Sequence, residues 1–373
     1  MKTWQTLLIG FLALLTTHLR AQNVGIGTAA PDPSARLHVE DNQRGILIPR
    51  LTTAQRNGIV GPARGLIIYN IDCDVIEYYD GTRWRSTEME QNKQVFYFQG
   101  RTVQRVRVPC GVSQARIKVW GAGGGGGGYD GCGGSFTGGN GGGGAFATAL
   151  VNVTPGHELE VYVGEGGHPG ALYGSGYSAE GAAIGRGGWG YGSGGRGGAS
   201  GQSGASGGGG GGGGSSAVFN RTTNTLIIAA GGGGGGGGKG NTNPCQGGAG
   251  GAGGATGQNG GSSSGAGGTG GGSATRDGTA GGDRVGDGGG GGGGGGGATR
   301  GGTGGGAATC DCGGGGNSFA PGGTIVDGSL TTPGGTTDPD YLPGIGVGGL
   351  GAAAPPSLAL PGGNGLVVIE WIR

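Results

Sequence analysis

The sequence has 373 residues, of which 113 are glycine, and a formal net charge of +1 at pH 7. Only 12% of the residues are charged, which argues against a nucleic acid or another polyanion as partner, because such binding needs a basic patch or stripe. Ordering a glycine costs about 0.5–1 kcal/mol more than ordering an alanine. The glycine tracts are therefore either disordered or ordered by packing that glycine alone permits.

The first 21 residues have the order of a secretory signal peptide. Lys2 provides a positive start, residues 7–15 (LLIGFLALL) are apolar, and the segment turns polar before Ala21. The apolar run is shorter than the roughly 20 residues of a membrane-spanning helix. We predict cleavage after Ala21 and export to the periplasm, cell surface or exterior of a Gram-negative-type bacterium, without a membrane span.

Residues 22–87 have ordinary composition and are predicted to form a short-stranded module, followed by a polar linker at 88–93. β-Branched and aromatic runs separated by turn residues predict the strands. The predicted elements are strands near 24–28 and at 36–40, 65–70 and 75–79, and a brief helix within 52–59.

Residues 94–373 are predicted to form a glycine-rich domain built on an all-β, jelly-roll-like sandwich. Alternation in 115–120 places Ala115, Ile117 and Val119 on one face of a strand. The chain ends in the apolar run 366–372, which predicts a strand that closes the sheet and makes the glycine tracts loops of a folded domain. The predicted strands are 94–98, 103–108, 115–120, 145–153, 158–163, 217–219, 226–230 and 366–372.

The glycine tracts could be ordered as polyglycine-II helices. Helices of the polyproline-II type have three residues per turn, and without side chains several can pack side by side and bond through their backbones. The alternative is a flexible Gly/Ser-type linker. We favour the ordered bundle, because predicted strands enclose the tracts.

Six cysteines follow residue 21, which permits 15 pairings. Disulfides are compatible with an exported chain. A zinc site is the weaker alternative, because the sequence has no CxxC motif. The predicted disulfide cysteines are Cys110, Cys132, Cys245, Cys310 and Cys312, and the state of Cys73 is left open.

Other motifs do not predict an enzyme or a cofactor. The spacing of Gly344, Gly346 and Gly349 fits a dinucleotide fingerprint but lacks its strand–helix context. Asp72, Asp74 and Asp80 are interpreted as turn residues rather than as calcium ligands. Because no catalytic set of side chains can be assembled, we expect a non-enzymatic protein without cofactor or metal.

Residues 167–198 carry the strongest candidate for a binding surface. Aromatic side chains on a rigid scaffold give contact area at low entropic cost, and Trp, Tyr and Arg dominate interface energies. The alternative is that these rings pack over the neighbouring sheet or cap the glycine bundle. The candidate contacts are Tyr173, Tyr177, Arg186, Trp189, Tyr191 and Arg196.

Two stretches resemble known families. Residues 24–84 resemble a fibre-like head module of Bacteroidetes-type surface proteins and phage tail fibres, on the phrases VGIGT (24–28), GILIPRLTTAQR (45–56) and YDGTRW (79–84). This resemblance implies a surface or fibre stem, with a homotrimer as one assembly.

The second resemblance covers residues 110–238, on the phrases IKVWGAGG (117–124), LEVYVG (159–164) and LIIAAGG (226–232). These resemble the glycine-rich domain of the anaplastic lymphoma kinase receptor family, and phage tail-tip adhesins use similar bundles. The resemblance implies a jelly-roll-like sandwich that carries glycine helices.

We therefore expect an exported, adhesin-like protein that binds a cell-surface receptor, a glycan or other copies of itself. The alternatives are a structural matrix or filament subunit built on polyglycine-II packing, and an ice-binding protein.

Overall fold

The computed structural model describes most of the chain as two compact units, Met1–Arg83 and Trp84–Arg373. The described residues form an almost entirely β structure, so the predicted all-β class is confirmed. The predicted signal peptide lies outside them. The described ranges are 23–86, 92–129, 137–170, 184–200, 207–240, 250–261, 268–283, 291–306, 313–353 and 357–372.

The first unit contains short strands and one helix, α1 (Thr53–Asn57). The helix starts at a capping box, in which the Thr52 hydroxyl accepts from the Gln55 amide and the Gln55 side chain accepts from the Thr52 amide. No helix within the described residues is long and apolar enough to cross a membrane. The strands are β1 (Val24–Ile26), β2 (Leu37–Val39), β3 (Arg50–Leu51), β4 (Ile67–Asn70) and β5 (Val75–Tyr79).

A buried ion pair lies on one face of the β3–β4–β5 sheet. Both carboxylate oxygens of Glu77 accept from the Arg56 guanidinium at 2.7 Å. The Asn70 amide donates to the same carboxylate at 3.1 Å. The Arg56 and Glu77 side chains are only 9% and 3% exposed. The pair thus joins α1 to the sheet. Removal of either partner would leave the other charge buried without compensation.

The short strand β6 (Trp84–Ser86) extends the β3–β4–β5 sheet beside β5, and the second unit is a sandwich of two antiparallel sheets. The first sheet has the order β14-β10-β9-β15-β7, and the second has the order β13-β12-β11-β8. Its strands are β7 (Lys93–Tyr97), β8 (Gln104–Arg107), β9 (Gln114–Trp120), β10 (Phe146–Asn152), β11 (Glu158–Tyr162), β12 (Ser216–Asn220), β13 (Thr225–Ala230), β14 (Thr324–Val326) and β15 (Leu366–Ile372).

The C-terminal strand closes the first sheet, as predicted. β15 pairs with β9 on one side and with β7 on the other. The inner faces of both sheets form one apolar core, to which Ile117, Val161 and Val367 each contribute a fully buried side chain. The glycine tracts between these strands are therefore enclosed by pairings at both ends.

The outer face of the first sheet is also covered. Trp120 is fully buried, with its ring 4.5 Å from Phe146 and 6.4 Å from Tyr341. Lys118 lies on the same face and donates to Asp338 and Asp340, each at 2.9 Å. The segment around residues 338–345 thus supplies the apolar and acidic partners of this face.

The Lys118 cluster is expected to make the stability of the second unit pH-dependent. Burial opposes the charge of Lys118, but hydrogen bonds to Asp338 and Asp340 raise its pKa. Burial likewise opposes the charge of Asp340, but hydrogen bonds from Lys93 and Lys118 hold its pKa below the usual range. The lysine contribution is lost as pH rises through its raised pKa, and the aspartate contribution as pH falls through its lowered pKa. The stabilisation is therefore complete between about pH 4 and pH 10.

Lys118→Met should lower the free energy of unfolding by about 2 kcal/mol at pH 7, because it removes two charge-assisted hydrogen bonds. It should also move the acid-induced loss of stability to higher pH. Thermal unfolding followed across pH measures both effects. Lys93→Met is the matched control, because the Lys93 side chain is 46% exposed and its ion pair is worth less. Equal effects of the two variants would contradict this interpretation.

The glycine tracts are hydrogen-bonded to one another with a repeat of three residues. The N–H groups of Gly121, Gly124 and Gly127 all donate to one neighbouring segment, residues 139–145, at 2.7–2.9 Å. The intervening N–H groups donate to other segments. A return to the same neighbour at every third residue matches the three residues per turn of a polyproline-II-type helix.

The segment 121–128 is surrounded by six others. Its N–H groups donate to three neighbours and its carbonyl groups accept from three more. The six neighbours are residues 139–145, 208–214 and 360–363, which accept, and residues 167–170, 233–239 and 349–352, which donate. The buried backbone of this segment is thereby satisfied without side chains.

The close approach of these segments requires glycine. A Cβ on Gly124 would lie 2.0 Å from the carbonyl oxygen of Gly234, and a Cβ on Gly235 would lie 2.0 Å from that of Gly210. Real Cβ atoms are not found at such distances from backbone oxygens. The composition of the tracts is therefore a packing requirement of this arrangement.

Candidate binding face

Four aromatic rings form a continuous array beside the second sheet, and we call them the aromatic array: Tyr162, Trp189, Tyr191 and Phe219. The Tyr162 ring stacks on Trp189 at 5.9 Å and meets the edge of Tyr191 at 5.3 Å. Tyr191 lies 6.3 Å from Phe219. All four rings are half-buried. The exposed guanidinium of Arg276 lies 4.5 Å from the centre of the Tyr191 ring, a cation–π geometry.

Strand alternation explains two members of the array. Val161 and Val218 point into the core, so Tyr162 on β11 and Phe219 on β12 lie on the opposite face of the sheet. Burial raises the pKa of Tyr162, as does its hydrogen bond to Glu160. The phenol thus stays protonated and donates to Glu160 at 3.1 Å.

Backbone bonds of a glycine tract position the other two rings. The Trp189 carbonyl accepts from the Glu165 amide at 2.7 Å, and the Tyr191 amide donates to the Ser215 carbonyl at 3.0 Å. The Trp189 amide in turn donates to the Glu165 carboxylate at 3.0 Å. The tract therefore holds these rings against the sheet in fixed positions.

A cluster of charged side chains surrounds Glu165. Its carboxylate accepts from Arg101 at 3.1 Å and bonds His168 at 3.0 Å, and the Arg186 guanidinium lies at 3.5 Å. Burial opposes ionisation of Glu165, but the bonds from His168 and the Trp189 amide and the charge of Arg101 hold its pKa below the usual range. The cluster presents two exposed guanidinium groups around one shielded carboxylate.

The structure brings together only some of the predicted contact residues. Trp189 and Tyr191 join the array, where they pack over the neighbouring sheet. Arg186 belongs to the Glu165 cluster. Arg196 forms a bidentate pair with Asp283 at 2.8 and 2.9 Å. Tyr173 and Tyr177 lie outside the described residues, and whether any of these residues contacts a receptor stays a prediction.

Sequence reasoning missed Tyr162, Phe219, Arg276 and Glu165. Tyr162 and Phe219 carried a usable signal, because each sits at an outward position of a predicted strand. Arg276 lies in a low-complexity stretch where no periodic pattern indicates its neighbours. The array provides rigid, amphipathic contact area with an adjoining cation.

The predicted turn residues and cysteines have defined environments. The Asp72 carboxylate accepts from the Thr53 amide at 2.7 Å, and Asp80 accepts from the Thr82 amide at 2.8 Å.

Cys73 and Cys110 are both disulfide-bonded, which confirms that disulfides occur in this chain. The remaining predicted disulfide cysteines, Cys132, Cys245, Cys310 and Cys312, lie outside the described residues.

Comparison with known families identifies one region. Residues 25–102 match the family described as "Phage tail like trimerisation region". Comparison with curated proteins gave no match. The family match confirms the tail-fibre-like resemblance of residues 24–84, whereas the resemblance of residues 110–238 to the kinase-receptor domain stays a prediction. The N-terminal part of the chain is therefore similar to a phage-tail-like trimerisation module.

Proposed function

We propose that this chain is an exported, homotrimeric, adhesin-like fibre protein whose glycine-rich sandwich displays a receptor- or glycan-binding face. The observation that carries the proposal is the family match of residues 25–102 to a trimerisation region, followed in the same chain by a sandwich with an aromatic array. A trimer would present three copies of the array, which raises avidity without new contacts.

Two observations support export. The first 21 residues have the order of a signal peptide. Cys73 and Cys110 are disulfide-bonded, a state that persists in oxidising environments outside the cytosol.

The glycine tracts are proposed to be polyglycine-II helices that form a rigid mount. The three-residue repeat of their hydrogen bonds and the six neighbours of segment 121–128 support this interpretation. A rigid scaffold limits the conformational entropy that a binding face loses when it binds a partner.

The aromatic array is proposed as the contact surface. Trp189 and Tyr191 are half-buried, so each ring retains an accessible part although its position is fixed. Arg276 adds an exposed cation beside the Tyr191 ring, and Arg186 is an exposed cation of the Glu165 cluster. Aromatic rings and arginines in fixed positions are the groups that contribute most to interface energies.

Replacing both Trp189 and Tyr191 by alanine should reduce adhesion of the purified protein to cells or glycan surfaces at least tenfold, which corresponds to about 1.4 kcal/mol. Adhesion is measured as bound protein at increasing concentration. Tyr97→Ala is the matched control, because Tyr97 is a 48% exposed aromatic on β7 of the other sheet. Thermal unfolding of each variant verifies that the sandwich is intact. Unchanged adhesion of a folded double variant would refute the proposed contact surface.

A structural fibre subunit is the second candidate, because the same family match favours it. In that case the trimer would assemble further into concentration-dependent fibres visible by electron microscopy, and the double variant would assemble like the unchanged protein.

A further inference from the structure

The β3–β4–β5 sheet of the first unit has two faces of opposite character. Ile68 and Glu77 point to the face that carries the Arg56 ion pair, and they are 1% and 2% exposed. The alternate residues point the other way. Ile67 pairs with Tyr78, and Tyr69 pairs with Ile76, so these four side chains lie together on the second face.

We call this second face the outer face, and it continues into the segment before β3. An open groove of about 370 Å³ is lined there by Ile46, Leu47, Ile48, Arg50, Tyr69 and Ile76. Leu47 is 84% exposed and Ile46 is 66% exposed. Ile67 and Ile76 are 49% and 42% exposed.

The apolar side chains of the outer face are exposed next to one another, which is unusual for a protein surface. Scattered apolar residues are normal on a protein surface, but a contiguous apolar patch marks an interaction site. One polar group on this face already has a hydrogen-bond partner. The Tyr69 hydroxyl donates to Asp74, and the Arg50 guanidinium lies 5.9 Å from the centre of the Tyr69 ring. Covering the Tyr69 ring would leave its hydroxyl with its partner, so burial of this group carries a small polar penalty.

We propose that the outer faces of three copies of this chain pack against one another around the threefold axis of the trimer. This inference rests on the proposed homotrimer, and it specifies the surface. The face lies wholly within residues 25–102, the segment that matches a trimerisation region. Homo-oligomer interfaces are more apolar than the rest of a protein surface, which is the character of this face.

A second exposed apolar surface provides the comparison. In the parallel pair β1–β2, Val24, Ile26 and Leu37 are 55–57% exposed. It is only two strands wide, whereas the outer face belongs to a wider sheet. The outer face therefore offers the larger apolar surface to a second and third copy.

The test compares the mass of the full chain in solution with that of its variants by sedimentation equilibrium. Leu47→Asp and Ile67→Asp place three negative charges at the proposed axis, and each should convert the trimer to single chains. Val60→Asp is the matched control, since Val60 is 97% exposed in the same unit but outside the outer face. It should remain trimeric. Val24→Asp tests the β1–β2 surface and should also remain trimeric.

A crosslinking measurement keeps the test independent of folding defects. In the otherwise unchanged chain, Leu47→Cys should give covalent trimers with a short tris-maleimide, which joins one thiol from each of three chains, whereas Val60→Cys and the unchanged protein should not. A trimer that persists in both outer-face variants, or that dissociates only in Val24→Asp, would overturn the assignment of the surface and leave the trimer intact. A single-chain mass for the unchanged protein at all concentrations would overturn the trimer itself.

Discussion

Replacing Gly124 by alanine is expected to lower the free energy of unfolding of the second unit by about 3 kcal/mol. The new Cβ would meet the Gly234 carbonyl oxygen at 2.0 Å, so the two segments must separate or shift. That movement would disturb the hydrogen bonds that Gly124 and Gly234 make with residues 142 and 251. Differential scanning calorimetry measures the loss, and Gly124→Val should increase it.

Gly45→Ala is the control for the effect of alanine on the unfolded chain. A Cβ on Gly45 has no neighbour within 4 Å, and the reduced freedom of the unfolded chain should leave this variant unchanged or slightly more stable. Amide hydrogen exchange gives a second readout, because ordered tracts should be protected and flexible linkers should exchange at once. Equal stability of the Gly124 and Gly45 variants, with fast exchange in the tracts, would refute the packed bundle.

Glu77→Gln is expected to lower the free energy of unfolding of the first unit by about 3–5 kcal/mol, because it removes the buried counter-charge of Arg56. The guanidinium donates to both Glu77 oxygens at 2.7 Å, and a neutral amide offers it one oxygen and no charge. Chemical denaturation of the full chain, followed by amide hydrogen exchange of the first unit, measures the loss.

Two further variants serve as the control and the rescue for this prediction. Glu40→Gln changes an exposed glutamate of the same unit and should alter stability by less than about 0.5 kcal/mol. The double variant Arg56→Met with Glu77→Leu should recover much of the loss, because well-packed apolar residues can replace a buried ion pair at little cost. A Glu77→Gln variant as stable as Glu40→Gln would show that the pair does not hold α1 to the sheet.

The strands were the predictable part of this fold. Residues 75–79 and 366–372 form strands with the predicted bounds, because β-branched and apolar residues alternate there between turn residues. β14 (Thr324–Val326) was not predicted, since three residues in a Pro- and Gly-rich stretch carry no period. The Arg56–Glu77 pair was also beyond prediction, because it depends on how α1 packs on the sheet.

The candidate binding face was likewise predictable only in part. Trp189 and Tyr191 could be singled out because large rings are rare in a glycine tract. Their contact with Tyr162 depends on which segment of the bundle lies beside β11, and the low-complexity sequence is consistent with many registers. The bonds between the glycine segments join backbone groups, which are the same in every residue.

The backbone bonds of the bundle also determine when it can form. The Gly349 amide donates to the Gly124 carbonyl, and the Gly123 amide donates to the Gly363 carbonyl, so these bonds join segments that are far apart in the sequence. Such non-local contacts require closure of long loops before any contact energy is gained, and they slow folding. The complete sandwich therefore cannot form before β15 has been synthesised. It should fold late and as one cooperative event, after its last strand has been synthesised.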